Sequence, residues 1–483
     1  MKFSYLKRGV CTLCVVSMLL PLFGCGKQTE ETAKVVIEPM EVEEVYSCSF
    51  DIMGGDDVMP IGGYYGPYSP FYSYNGVNMP DYQSEEMFKK MIDSGINMIN
   101  FTETDYNAAP AKTMELLKLG EKYGVGIMVR DTLISEAKGA NISSLEDLAK
   151  RVSAYDSEPA FIGMYLVDEP GCEYYHPELK DAQGFMSDYE ETCANLQKLG
   201  IPSYTNLIGY HGNVNQRETW EKYVQEGLTM LCTNYVSYTH SLAQSANIDE
   251  WDNNAITGYF WALDTIQYYA EQYELPAWQY IYAGGQPSDG GERFDSEPYY
   301  PTEGQFTWNI NTGLAMGTKG FMYFPLIQPY WFSYAESTPF DAQRIGLLGL
   351  WGNKTQWYHY AQKANAQIAA VDHVLMNSKR KGVIASGEQA EADLNGLRGL
   401  IEGKSWRELK DIQGNAIVGC FNFQGKTALY VTNYEMEYAQ KVTLNFQDSY
   451  NIRVIQNAKE STMHTDEITL DFASGEGALI VFE

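Results

Sequence analysis

The sequence predicts an α/β fold, a closed barrel of parallel strands wrapped in helices and followed by a small C-terminal antiparallel β-sandwich, on three observations. Between about residues 59 and 330, short β-branched or aromatic runs alternate with amphipathic stretches. Parallel strands with covering helices produce that pattern. Eight such runs occur, at 60–65, 97–101, 126–130, 161–167, 203–208, 230–235, 278–283 and 320–326, and eight is the number that closes a (β/α)8, or TIM, barrel of roughly 250 residues. From residue 379 onward, alternating runs at 416–423, 427–433, 441–446 and 477–482 are separated by turn residues, which reads as a sandwich.

The helices between the strands carry start and stop signals. Ser84 precedes Glu85 and Glu86, Pro110 opens the run 111–118, and Ser144 stands three residues before Asp147; such residues satisfy the free N–H groups of a first turn or suit its geometry. Gly95, Gly124 and Gly200 each fall just before the next strand, where a helix stop belongs. The stretch 342–376, with Trp351, Trp357 and Tyr358 on an apolar face, closes the barrel with one or two helices. The expected domains are a barrel over 46–376 and a sandwich over 377–483, with neither internal repeats nor heptads.

The first segment concerns address. Lys2, Lys7 and Arg8 precede an apolar stretch at 10–23, too short to span a bilayer stably and typical of a secretory signal, here residues 1–24. Its end, Leu22-Phe23-Gly24-Cys25, resembles the bacterial lipobox. The resemblance implies that the Cys25 thiol takes a diacylglycerol and becomes the new N-terminus, giving an exported membrane lipoprotein on the extracytoplasmic side. The alternative is an ordinary signal with an incidental Cys. Residues 25–45 then read as an acidic tether with little to bury.

Charge excludes other partners. With 34 Lys and Arg against 63 Asp and Glu, the chain carries −29, a field that repels phosphate backbones and anionic headgroups. No nucleic acid is expected, and no membrane contact beyond the anchor. The 37 Tyr and 9 Trp supply flat amphipathic faces of the kind sugars stack on. Of the cysteines outside the signal and the lipobox, Cys48, Cys172, Cys193, Cys232 and Cys420 show no metal-ligand spacing, and the His residues include no HxxxH pair, so neither a metal nor a cofactor is expected. Buried free thiols are the simpler reading.

In a barrel the loops after the strands share one face, so residues just past each strand are the ones that converge on a substrate. Strand by strand these are Tyr64 and Tyr65; Glu103; Arg130 and Asp131; Asp168 and Glu169; Asn206; Asn234 and Tyr235; Gln286; and Trp331. Acids, amides and aromatics together suit a polyol-binding cleft. Arg130 either contacts substrate or neutralises Glu169 or Asp168, and the amides and tyrosines either hold sugar hydroxyls or cap and pack the barrel mouth.

The run 161–170, an apolar strand delivering Asp168-Glu169-Pro170, resembles the fourth strand of the clan A glycoside hydrolases, with Asp168 where the family has Asn. The stretch 276–326, a Pro-aromatic strand followed by a helix running through Leu314 to Gly320 into Phe321, resembles the end of a family 42 β-galactosidase barrel, and the β-rich C-terminus resembles the small sandwich such enzymes append. The resemblance implies a glycoside hydrolase acting on an oligosaccharide or polysaccharide, with β-galactosides among the candidate substrates, and with Glu169 as general acid/base and Asp168 assisting it. Glycosidases need a second carboxylate, which in those families ends strand seven. Here no acid follows that strand before Asp289. The second carboxylate is therefore sought among Glu103, Asp131, Asp289 and Glu292; otherwise the chain is a non-catalytic glycan-binding lipoprotein with a degenerate barrel site.

Overall fold

Strands and helices alternate through β1 (Ile61–Gly63), α1 (Glu85–Ile92), β2 (Met98–Asp105), α2 (Pro110–Tyr123), β3 (Gly126–Arg130), α3 (Leu145–Val152), β4 (Phe161–Asp168), α4 (Glu190–Lys198), β5 (Ser203–Leu207), α5 (Arg217–Met230), β6 (Val236–Tyr238), α6 (Asn253–Gln272), β7 (Ala277–Tyr282), α7 (Glu303–Met316) and β8 (Phe321–Phe324). The computed structural model describes residues 37–46, 50–69, 73–74, 77–136, 139–140, 142–170, 186–207, 217–230, 236–238, 253–284, 301–329 and 345–483. Every neighbouring pair of strands is parallel, and β1 pairs both with β2, through Gly62 and Met98, and with β8, through Ile61 and Phe321, so the pairings run round a complete ring. Met98, Met128, Ile162, Tyr165, Tyr204, Trp278, Tyr280 and Met322 fill the interior as one cluster, and Phe50, Ile52 and Met53 pack against it from the segment before β1.

Local signals account for the helix starts. The Ser84 hydroxyl accepts from the Met87 N–H at 3.4 Å and the Ser144 hydroxyl from the Asp147 N–H at 3.3 Å. α7 opens with a reciprocal box in which the Thr302 N–H donates to the Gln305 side chain at 2.8 Å and the Gln305 N–H to the Thr302 hydroxyl at 3.2 Å. α7 is buried along nearly its whole length, because it lies between the barrel and the C-terminal sheet. Such a helix shows little amphipathic contrast.

After the barrel come α8 (Gln356–Leu375), β9 (Ser378–Ser386), α9 (Glu388–Asp393), β10 (Leu409–Gln413), β11 (Ala416–Phe423), β12 (Lys426–Asn433), β13 (Gln440–Gln456), β14 (Lys459–Phe472) and β15 (Gly477–Phe482). The antiparallel character is as expected, but these strands form one sheet, ordered β9-β11-β12-β15-β13-β10 with β14 also on β13. The long β13 makes this possible: Leu444 and Phe446 pair with β10, Ile452 to Gln456 pair with β15, and the register with β14 breaks between Asn445 and Tyr450. One face carries Val383, Ala385, Ile417, Phe421, Ala428 and Tyr430 into the barrel's own core. The other encloses Ile384, Val418, Cys420, Leu429, Val431 and Leu444, the period-two alternation of a sheet covered on both sides.

Three expectations are corrected. The sixth strand was expected at 230–235, yet Met230 ends α5 and the strand is Val236–Tyr238; Trp220, Tyr223, Val224 and Gly227 are buried at helical spacing, and a short apolar run cannot by itself separate a helix end from a strand. Of the stretch 342–376, helix begins only at Gln356, and residues 345–355 are turns and bridges. Residues 38–43 are not a free tether. The Met40 N–H donates to the Gly425 carbonyl at 3.0 Å, the Asn422 side chain donates to the Glu41 carbonyl at 2.7 Å, and Glu43 accepts from Lys381 at 2.9 Å. Polar pairing to a strand turn docks this acidic segment, which composition alone does not reveal. Residues 25–36, Cys25 among them, lie outside the described residues.

Candidate active site

The site is built around an irregular β4. Its interior-facing residues are Ile162, Tyr165 and Asp168, spaced by three where a regular strand would give two. Two register breaks supply the extra residues: Phe161 and Gly163 oppose the consecutive Ile127 and Met128 of β3, and Tyr165 and Val167 oppose the consecutive Tyr204 and Thr205 of β5. Bulges of this kind re-aim side chains at barrel rims. The second one turns Asp168 inward, opposite Asn206.

Asp168 and Glu169 have different surroundings. Asn206 Nδ2 donates to Asp168 Oδ1 at 2.6 Å, and the Tyr64 hydroxyl also supports the Asp168 anion. Tyr64 is itself 1% exposed and shares a 2.8 Å hydrogen bond with the Tyr165 hydroxyl. Burial raises the Asp168 carboxyl above its ordinary range, while Asn206 and Tyr64 pull it back. Glu169 is pushed up to about 8, by burial first and by the negative charge of Asp168 second. Among the described residues none donates a hydrogen bond to its carboxyl. Between two adjacent acids, the one that accepts hydrogen bonds keeps the charge and the other keeps the proton. Glu169 is therefore the protonated member at neutral pH.

The backbone at Glu169 is held in the left-handed region, φ 43°, and so is Tyr65 at φ 62°, each at a strain of about 1–3 kcal/mol that surrounding contacts must offset. The Glu169 N–H donates to the Asn206 carbonyl at 2.8 Å, and the Ile327 N–H to the Tyr65 carbonyl at 3.2 Å. The turn points Glu169 and the Tyr65 phenol toward one another's field: Tyr65 is raised by burial and then by the charges of Asp168, Glu103 and Glu169. The structure thus gathers Tyr64, Tyr65, Glu103, Asp168, Glu169 and Asn206 at one end of the barrel. Arg130 ends β3 beside them. Its guanidinium donates to the Thr102 carbonyl and lowers Glu103 against the rise that burial causes, to about 7. Among the described residues no ion pair joins Arg130 to Asp168 or Glu169.

Asp131 is elsewhere employed. It is fully buried, accepts from Arg151 Nε at 2.6 Å and Nη2 at 3.0 Å and from the Tyr155 hydroxyl at 3.2 Å, so it is the buried half of a structural ion pair and not an available second carboxylate. Asp289, Glu292, Asn234, Tyr235, Gln286 and Trp331 lie outside the described residues; Asn234 and Tyr235 stand ahead of the strand that begins at Val236, not after it. Sequence reasoning missed Tyr165, Tyr204, Tyr280, Tyr282 and Phe324, which surround Tyr64 and Tyr65 as a cluster of mostly edge-on or tilted rings. Only Tyr165 owes its inward aim to the irregular β4; Tyr280, Tyr282 and Phe324 follow the regular alternation of β7 and β8, which pair without a register break. Among the described residues no group of His, Cys, Asp and Glu is arranged to hold a metal ion. Cys193 and Cys420 are both buried.

Replacing Asn206 with Ala removes the donor at Asp168 Oδ1. The pair is expected to take up its second proton at higher pH, a shift of about one to two units for the loss of one hydrogen bond to a charged group, read by carboxyl-carbon NMR titration.

No family model matches the chain, and no curated protein does. Among solved structures it is similar to a β-galactosidase from Bacillus circulans sp. alkalophilus, at 9% identity and a TM-score of 0.49 over 88% of this chain and 99% of that one. It is similar also to AbfB, a family 51 α-L-arabinofuranosidase from Bifidobacterium longum, at 10% identity and 0.45 over 92% and 99%. A β-galactosidase from the psychrophilic Marinomonas ef1 gives 12% and 0.44 over 70% of this chain and 65% of that one, less than two thirds of that enzyme's length. Likenesses of this strength carry no functional argument, and the reading below rests on the site.

Proposed function

We propose that this chain is an exported, lipid-anchored glycoside hydrolase in which Glu169 donates the proton to the leaving glycosidic oxygen. One observation carries the reading: an acid pushed up to about 8 sits beside a second carboxyl that accepts a hydrogen bond from Asn206, at the end of a barrel strand. A general acid must hold its proton at the working pH and release it in the transition state. Tyr65 supplies a partly apolar face against which a pyranose ring can pack, and Arg130 and Asn206 supply donors for its hydroxyls. The lipobox-like Cys25 supports attachment at the outer side of the membrane, and the acidic surface favours a neutral glycan over a polyanion. The substrate class is an oligosaccharide or polysaccharide, with β-galactosides first to try.

A second reading has its own support. β7 continues into Ala283 and Gly284 with no acid at its end, the place where the resembled families keep their second carboxylate, and this favours a glycan-binding protein without turnover. Wild type and Glu169→Gln assayed on a glycan panel separate the two. Loss of the general acid is expected to lower kcat about 10²- to 10⁴-fold on unactivated substrates. Equal turnover would remove Glu169 from the chemistry, and binding without turnover by the wild type would leave the binder.

A further inference from the structure

We infer that the closed end of the barrel, opposite Glu169, is the face this protein turns to the membrane, so that the cleft opens away from the lipid and takes detached glycan chains, not glycolipids of the same bilayer. The orientation rests on the anchor at Cys25, and the substrate clause rests on the glycosidase reading as well.

The two ends of the barrel can be followed into the C-terminal sheet. Parallel strands all run from the closed end to the mouth, where β4 delivers Asp168 and Glu169. α7 runs back from the mouth, so Gly304 in its first turn lies at mouth level and Gly317 after its last at the closed end. The sheet packs along it in the same order. A Cβ on Gly304 would meet the Met436 carbonyl and Ser474, one on Gly419 would meet the Ala315 carbonyl, and one on Gly317 would meet Arg380. β11 therefore descends from Ala416 at mouth level, and the turn from Phe423 to Lys426 that joins it to β12 stands at the closed end.

The chain enters the fold at that turn and stays at that end. The Arg407 guanidinium donates to the Glu38 carbonyl, the Met40 N–H to the Gly425 carbonyl and the Asn422 side chain to the Glu41 carbonyl, while Glu43 accepts from Lys381. Lys379 Nζ lies 5.2 Å from the centre of the Tyr46 ring, and Val45 and Tyr46 line a small cavity with Ala277, Lys319 and Ser378, at the starts of β7 and β8 and beside α8. Phe50, Ile52 and Met53 then pack against the residues that fill the barrel, and a Cβ on Gly126, the first residue of β3, would meet Met53 Sδ at 3.1 Å. Glu38–Tyr46 and Phe50–Met53 thus form a strap across the closed end.

Docking of the strap shortens the tether. Twelve residue steps separate Cys25 from Ile37, a reach of about 19 Å on average and about 40 Å at full extension. The mouth stands about 20 Å beyond the closed end, the length of α7. Bringing it to the lipid would stretch the tether toward its limit, at a cost in chain entropy. Glu38, Glu41 and Glu44 are exposed on the strap, so anionic headgroups repel this pole and it stands off the surface without inserting.

The test uses the full lipidated chain in phosphatidylcholine vesicles that carry a trace of acceptor-labelled phosphatidylethanolamine. A donor dye is attached through an azido residue at position 426, on the β11–β12 turn, or at position 107, just past β2 at the mouth. With about 20 Å of height between them, energy transfer from 426 is expected to be at least about twofold stronger. Equal transfer, or stronger transfer from 107, overturns the orientation. About thirty Gly/Ser residues inserted after Val36 raise the average reach to about 35 Å and should shrink the contrast; an unchanged contrast overturns the role of the short tether. Intact mass reads the anchor, and a chain without diacylglycerol overturns the anchored reading and this inference together. Vesicle-bound wild type should cleave a soluble oligosaccharide at least about tenfold faster than the same glycan on a lipid of that vesicle, because the cleft cannot reach it. A preference for the glycolipid overturns the substrate clause alone. Turnover of neither overturns the glycosidase reading and that clause, while the transfer measurement, which needs no turnover, still decides the orientation.

Discussion

Arg380→Ala is expected to lower the unfolding free energy by about 3–5 kcal/mol, the usual result of leaving one member of a buried ion pair without its partner. Arg380 lies on β9 of the C-terminal sheet, and its Nη2 donates to Asp264 Oδ1 of α6, on the barrel, at 2.9 Å; the two side chains are 9% and 3% exposed. The Arg398 N–H also donates to Asp264 at 2.7 Å and the Gly399 N–H at 3.2 Å. The arginine side chain threads between Gly317 and Gly399, where an added Cβ would meet its Cδ at 2.9 Å and its Nη2 at 2.2 Å respectively. Lysine is therefore a poor substitute, since the planar fork reaches the carboxylate from that slot and a point charge does not. Chemical denaturation should show the midpoint fall. The exposed pair Lys441–Asp471, with side chains 72% and 75% exposed, is the control: Lys441→Ala should change stability by less than about 1 kcal/mol. A comparable loss in both variants would mean that burial does not set the difference.

The same contrast between local and long-range information separates what the sequence discloses from what it hides. Strands 126–130, 416–423 and 477–482 are legible residue for residue because their apolar runs are bounded by turn residues and their side chains alternate between two covered faces. Helix starts at Ser84 and Ser144 are legible because a cap is a contact within four residues, and the start at Pro110 because the fixed φ of proline suits a first turn. The union of barrel and sheet is not. α7 gives little amphipathic signal because it is covered on both sides, and the docking of residues 38–43 depends on partners more than 330 positions away, such as Lys381 and Asn422.

At the site, composition placed acids and aromatics at strand ends but could not assign their duties. Asp131 and Glu103 look alike in sequence, each an acid at a strand end beside polar residues. What divides them is Arg151, twenty residues on from Asp131 and carried back by α3. Likewise the order of charge between Asp168 and Glu169 is set by Asn206 and Tyr64, which arrive on β5 and after β1. Bulges decide the rest. A strand whose inward residues fall at 162, 165 and 168 cannot be read by a period of two, and the irregularity lies where the chemistry does, as local rules commonly fail at functional sites.

Glu169→Gln should make the protein more stable at alkaline pH while abolishing the proposed acid catalysis. Glu169 titrates near 4.5 when unperturbed and at about 8 in the fold, so the folded state binds a proton that the unfolded chain releases. A raised carboxyl contributes its stability in full below pH 4.5 and loses it as pH climbs to 8, since ionisation then favours the unfolded chain. Glutamine copies the shape of the protonated acid and never ionises. The two chains should therefore unfold alike near pH 4, diverge between 4.5 and 8, and keep a constant gap above that, on the order of a few kcal/mol in favour of the variant. Melting temperatures across pH 4–9 read this directly. Equal curves at every pH would mean that Glu169 titrates like an exposed carboxylate, which would remove the physical basis for its holding a proton to give away. A gap that opens as described, together with lost turnover, is the signature of a site whose function is held at the expense of stability.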